Sequence, residues 1–335
     1  MSVMPATASE TQPGSKYDRL ILTAKGVPTV STIVVHPCDE SSLRGVVDSA
    51  AAGIIRPVLV GPEKKIRDTA SKFGLDISVF ELVDAPHSEA AATKSVELIH
   101  AAKGELLMKG SLHTDELMRA VTAKVGGLRT DRRISHVFVM DVPAYAETLF
   151  VTDAAVNIFP DLDAKRDIIQ NAIDLYTQAG FGKLPRVAIL SAVETVTSKS
   201  PSTIEAAALC KMADRGQITG GVLDGPLAFD NAIDVEAARI KGIKSEVAGR
   251  AQILLVPDLE SGNMLAKNLS YFAKADSAGI VLGARVPIIL TSRADSLMTR
   301  LASRSFHVVC MSAFGKYAAL PVGAGGAGWV AAPLP

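Results

Sequence analysis

An alternation that starts near residue 30 and runs past residue 290 constrains this chain more than any other feature. Short β-branched runs are followed by longer stretches with helical spacing, the pattern of repeated βα units around a mainly parallel sheet. The early runs are Thr32–Val35, Pro57–Val60 and Ile77–Phe80. Ser41 to Ala52, Pro62 to Phe73 and Ser88 to Ala102 suit helices, and Pro62 sits near a helix start, where a missing N–H costs little.

A second series begins at Ile134–Asp141 and continues through Arg186–Leu190, Gly220–Asp224, Ile253–Asp258, Gly279–Gly283 and Val286–Leu290, with a long helical stretch from about Asp295. The two series predict two α/β domains with a boundary at Gly126-Gly127-Leu128-Arg129-Thr130. Several strands end in aspartate or glycine before a loop, and such ends are where open α/β sheets collect ligands. Residues 1–16 are small and polar, without the basic start and apolar stretch of a secretory signal, and read as a disordered leader. The glycines from Gly323 to Gly328 have no helix-forming sequence behind them and read as a flexible tail, not a dinucleotide loop.

Charge and motif inventory then exclude several function classes. Lysine plus arginine equals aspartate plus glutamate, at 35 each, which argues against nucleic acid or an anionic membrane as main partner. No apolar stretch reaches the length of a membrane span. Three dispersed cysteines, Cys38, Cys210 and Cys310, make neither a disulfide framework nor a zinc site and fit a reducing cytoplasm. There is no GxxxxGK[ST], HExxH or GxSxG pattern, and the six histidines form no ligand motif, so no metal is expected. Cys38, in the corner His36-Pro37-Cys38, is more simply a packed small hydrophobe than a reactive thiol. Ser191 lacks the glycines of a nucleophile elbow and reads as a loop serine near a ligand.

Four polar groups remain at predicted strand ends. In Lys109 to Arg119, glycine and hydroxyls, Ser111 among them, precede a helix whose first turn could hold an anion, with Thr114 as N-cap and Arg119 a turn and a half inside. An ordinary capped helix with a solvated arginine is the competing reading. Asp224 to Ala232 and Pro257 to Leu265 each read as strand, acidic turn and helix, with Asn263 hydrogen-bonding a ligand or merely capping. Leu290 to Ser296 ends a strand in two hydroxyls and an arginine, and the guanidinium fork of Arg293 beside free N–H groups suits a phosphate.

Taken in this order, the four groups resemble the phosphate acetyltransferase and phosphate butyryltransferase family, from about Lys109 to Ala302. The wording around Ser191-Ala192-Val193-Glu194, Asp224-Gly225-Pro226-Leu227, Val256-Pro257-Asp258 and Leu290 to Ser296 is closer to the butyryl branch. The resemblance implies two αβα domains with a cleft between them, in the architecture of isocitrate and isopropylmalate dehydrogenases. Residues 17–130 with 292–335 would form the first domain and 131–291 the second. It implies transfer of an acetyl or butyryl group between coenzyme A and phosphate in a homodimer or larger homo-oligomer. Coenzyme A would be a substrate, with no tightly bound cofactor.

Residue by residue, Ser292 and Arg293 match the family's Ser-Arg pair at phosphate and CoA, and Arg119 matches the arginine closing its Thr-Thr-Ala-Asp-Val-Leu-Arg segment. His113 replaces the first threonine of that segment, so Thr114 alone keeps the hydroxyl. The base proposed for the acetyl enzymes falls at Thr299. Asp295 is therefore carried as candidate catalytic base beside Arg293, with helix cap as its competing role. Two alternatives stay open: a non-catalytic acyl-CoA sensor and an NAD-dependent dehydrogenase on the same architecture.

Overall fold

The computed structural model describes residues 28–290. Helix starts follow local capping chemistry. Asp39 accepts the Ser42 N–H at 2.8 Å ahead of α1 (Glu40–Ala51), a contact worth about 1 kcal/mol. Gly74, at φ 62°, ends α2 (Glu63–Phe73) in the left-handed conformation that glycine adopts without steric cost. The remaining helices are α3 (Ser88–His100), α4 (Thr114–Val121), α5 (Leu162–Gln178), α6 (Pro201–Asp214), α7 (Phe229–Ile233), α8 (Val235–Ile240) and α9 (Leu259–Tyr271). No helix among the described residues is long and apolar enough to cross a membrane.

Among the described residues, eleven strands form one sheet: β1 (Val30–Val35), β2 (Ile55–Gly61), β3 (Glu81–Asp84), β4 (Leu106–Lys109), β5 (Ser135–Asp141), β6 (Leu149–Thr152), β7 (Arg186–Leu190), β8 (Val222–Leu227), β9 (Ile253–Leu255), β10 (Asp276–Leu282) and β11 (Ile288–Ile289). Their order is β3-β2-β1-β4-β11-β10-β5-β6-β9-β7-β8. The first five are parallel, β10 opposes both β11 and β5, and β6 opposes β5. Strands β9, β7 and β8 then run parallel to β6. As a result β4 and β9 point in opposite directions, and the loops after them leave from opposite edges.

Helices cover both faces of the sheet. Alternation along β1 sends Ile33 and Val35 to a core shared with α3 and α4, and Val30 and Val34 to one shared with α1 and α2. At the other end of the sheet Val137 and Val139 pack with α5 and α6, whereas Met140 packs with α7, α8 and α9. Each fully buried leucine or isoleucine in these clusters contributes about 1.5–3 kcal/mol of apolar burial.

The structure revises several expectations. Ile77–Phe80 is a turn, not a strand: the Asp76 carboxylate accepts the Ser78 N–H at 2.9 Å, the Phe80 N–H bonds to the Ile77 carbonyl, and β3 starts at Glu81. Asp224 to Leu227 is not an acidic turn but part of β8. The pairing shifts from Ala188↔Asp224 to Leu190↔Leu227, so β8 takes up one extra residue there. The short β4 and β6 did not stand out in the sequence.

Candidate active site

β1 ends at Val35, and His36 follows with φ 53°, turning the chain out of the sheet while its N–H bonds the Val60 carbonyl at 2.7 Å. β4 leaves beside it. The Gly110 N–H bonds the Val35 carbonyl and the Ser111 N–H bonds the His36 carbonyl, each at 2.9 Å. A Cβ on Gly110 would lie 2.4 Å from the Val35 oxygen and 2.7 Å from the His36 oxygen, so this close approach requires glycine. Ser111 Oγ donates to the His36 carbonyl at 2.8 Å and accepts the Cys38 N–H at 3.2 Å, and it lies 3.1 Å from His36 Nδ1.

Helix α4 follows directly. Its N-cap is His113, not Thr114, which is the first helical residue. Glu116 decides this by reaching back to accept the His113 N–H at 3.0 Å, and it also accepts from Ser88 Oγ at 3.1 Å. Arg119 is exposed and lies 3.0 Å from Glu89 and 3.8 Å from Asp115. Exposed pairs of this kind are worth about 0–1 kcal/mol, so a phosphate could compete for the guanidinium.

Ser292, Arg293, Asp295 and Thr299 lie outside the described residues. The strand leading toward them, β11, pairs Ile289 with Met108 of β4. The exits of β1, β4 and β11 are thus neighbours on one edge, with β1 and β11 about 10 Å apart at strand spacing.

Asn263 is not part of this group. It lies in α9, after β9, and its Nδ2 donates to the Ala154 carbonyl at 3.2 Å. β9 is five strands from β4, about 24 Å, and exits at the opposite edge. There Asp258 caps α9 by accepting the Ser261 N–H at 2.8 Å. A cavity of about 300 Å³ lies alongside, lined in part by Phe159, Lys165, Ser202, Glu205 and Asp258. Its polar groups largely answer one another. The buried Lys165 ammonium is 2.5 Å from Glu205, and Ser202 Oγ is 2.8 Å from Ser191 Oγ.

Among the thiols, burial pushes Cys38 up to about 11 and Cys210 up to about 12, so neither is a thiolate nucleophile near neutral pH. The His36 imidazole is shifted down, first by burial and then by Lys65, against the opposing pull of Glu116 and Asp39. Sequence reading passed over His36 as a site residue, because its neighbour Ser111 lies 75 positions away.

Against this geometry, the family model described as "Phosphate acetyl/butaryl transferase" matches residues 87–303. The chain belongs to the phosphate acetyl/butyryl transferase family. A phosphate acetyltransferase of Rhizobium meliloti is 71% identical over 86% of this chain and 91% of its own length. A phosphate butyryltransferase of Clostridium beijerinckii is 41% identical over 86% of this chain and 95% of its own. The crystal structure of a branched-chain phosphotransacylase from Enterococcus faecalis V583 superposes with a TM-score of 0.73 at 26% identity, covering 84% of this chain and 99% of that one. The greater identity is to the acetyl-named relative, so the butyryl-like wording of the four motifs does not decide the acyl group.

Proposed function

We propose that this family member catalyses acyl-CoA + phosphate = acyl phosphate + CoA with a short acyl group, acetyl ahead of butyryl. One observation carries the reading to particular residues: the segment holding Ser111, Thr114 and Arg119 and the strand leading to Ser292 and Arg293 leave the sheet side by side. Arginine and backbone N–H groups at that edge suit a phosphate that gains charge as it leaves. Ser111, Thr114, Ser292, Arg293 and Arg119 hold phosphate and CoA. Asp295, two residues after Arg293 in sequence, is the candidate base unless another group at this edge takes the thiol proton, in which case its competing role as helix cap remains. Asn263 would join them only through an extension of the site to the far edge. Coenzyme A acts as a substrate, and holding both substrates together supplies much of the rate.

The first domain is taken as residues 17–130 with 292–335 and the second as 131–291. The hydrophobic clusters at the two ends of the sheet draw mainly on the described residues of each range, with Ile134, Val281, Val286, Ile288 and Ile289 of the second range packing into the clusters of the first. The exposed Met264 and Tyr271, seven residues apart on α9, and the neighbouring Phe272 favour a homodimer. Cys38 and Cys210 are free thiols, which fits a reducing cytoplasm.

A thiol-release assay with acetyl-, propionyl- and butyryl-CoA tests the activity. Release that requires phosphate is expected, fastest with acetyl-CoA. CoA binding without turnover would instead indicate a sensor, and a change in nicotinamide absorbance a dehydrogenase.

A further inference from the structure

The proposed transfer, run from acyl phosphate toward acyl-CoA, needs an acceptor for the CoA thiol proton, because a thiol near its ordinary pKa offers little thiolate at neutral pH. His36 stands at the carboxyl end of β1, touching Ser111. Three contacts fix its protonation pattern. The His36 carbonyl can only accept, so Ser111 commits its hydroxyl proton there, at 2.8 Å. The Cys38 N–H can only donate, and it occupies one hydroxyl lone pair. With the hydroxyl proton committed to that carbonyl, Nδ1 cannot accept it, and the 3.1 Å contact between Nδ1 and the same hydroxyl is made by Nδ1–H donating. In the neutral imidazole the lone pair then sits on Nε2, which has no hydrogen-bond partner among the described residues.

The surroundings hold the ring in place and keep it neutral. A Cβ on Gly61 would meet the His36 Cα at 3.3 Å and Cδ2 at 3.6 Å, so the backbone of the next strand packs against the residue. The residue occupies the left-handed region, a conformation L side chains rarely adopt and one found more often at functional sites. The charged groups that act on it are Lys65 of α2, Asp39 at the start of α1 and Glu116 of α4, and burial outweighs each.

We propose that His36 is the general base for coenzyme A, accepting the thiol proton at Nε2, with Ser111 as the positioning residue that fixes its tautomer; this rests on the phosphate acyltransferase reading. The sulfur, left with its electron pair, bonds to the carbonyl carbon of the acyl phosphate. The carbon–oxygen bond to phosphate breaks with its pair going to oxygen, and the imidazolium returns the proton to the departing phosphate. In reverse, His36 protonates the CoA sulfur as the thioester bond breaks.

His36→Asn is the sharpest variant. Asparagine tolerates the left-handed backbone and can present an amide N–H to Ser111, but it has no basic nitrogen. In the acyl-phosphate direction kcat should fall about 10²–10³-fold, as for a lost general base, with KM for CoA little changed and added imidazole restoring part of the rate. The wild-type kcat/KM profile should lose activity as pH falls through an apparent pKa below the ordinary 6.5, and the variant should lack that limb. Wild-type turnover with an unaltered kcat in His36→Asn overturns the proposal, as does a loss that imidazole does not relieve and that leaves the acid limb intact. A wild type without phosphate-dependent turnover removes the functional reading and His36's role with it. Nitrogen-15 imidazole spectra of the wild type give a check independent of variant folding: a neutral ring protonated at Nε2 would contradict the assignment.

Discussion

The edge where β1, β4 and β11 end and the edge where β9 and β7 end carry similar inventories of hydroxyls, acids and a cation near helix starts. They differ in what those groups do with one another. At the far edge Lys165 faces Glu205, Ser191 faces Ser202, Asp258 closes on Ser261 and Asn263 holds the Ala154 carbonyl. Such pairing stabilises loops and leaves little bonding capacity for a substrate. At the near edge Ser111 is also fully engaged, yet its bonds orient an imidazole whose second nitrogen has no partner among the described residues. Residue type alone does not separate a site from a well-tied loop; the direction of the hydrogen bonds does.

That contrast can be broken in graded steps. The largest loss is expected for His36→Asn, as above. Next, Arg293→Ala should lower turnover by at least about tenfold in steady-state kinetics, since a hydrogen bond to a charged phosphate is worth about 1.5–3 kcal/mol. Full activity in the folded variant would take Arg293 out of the site. At the far edge Glu205→Ala should act on stability instead. Leaving the buried Lys165 ammonium without its carboxylate should cost about 2 kcal/mol in denaturant unfolding, less than for a fully buried pair because Glu205 is partly exposed, while kcat stays near wild type. Asn263→Ala should have the smallest effect, about 1 kcal/mol of stability for the contact to Ala154. A tenfold rise in its KM for CoA would extend the site to the second edge.

Much of this fold was legible because β-branched runs such as Thr32–Val35 and Val187–Ile189 mark strands buried on both faces. β4 escaped because Leu-Leu-Met-Lys has no β-branched residue and its strand character comes from pairing with β1 and β11. Ile77–Phe80 misled for the opposite reason: its β-branched residues sit in a turn closed by Asp76. The cap of α4 moved one residue because Glu116 selects the N–H of His113, which a preference for threonine at caps cannot register. Motif wording identified the family, but not the strand directions. The reversals at β10 and β6 send Asn263 and Ser111 to different edges; β10 finds its place by pairing with β5, more than a hundred residues away, and β6 turns back in a short hairpin from β5.

Amide hydrogen exchange measured with and without CoA plus phosphate tests most directly which edge is the site. Slowed exchange at residues 36–39 and 109–119 is predicted, with residues 191–205 and 258–263 unchanged. Protection confined to those last two segments, with none at the exits of β1 and β4, would contradict it.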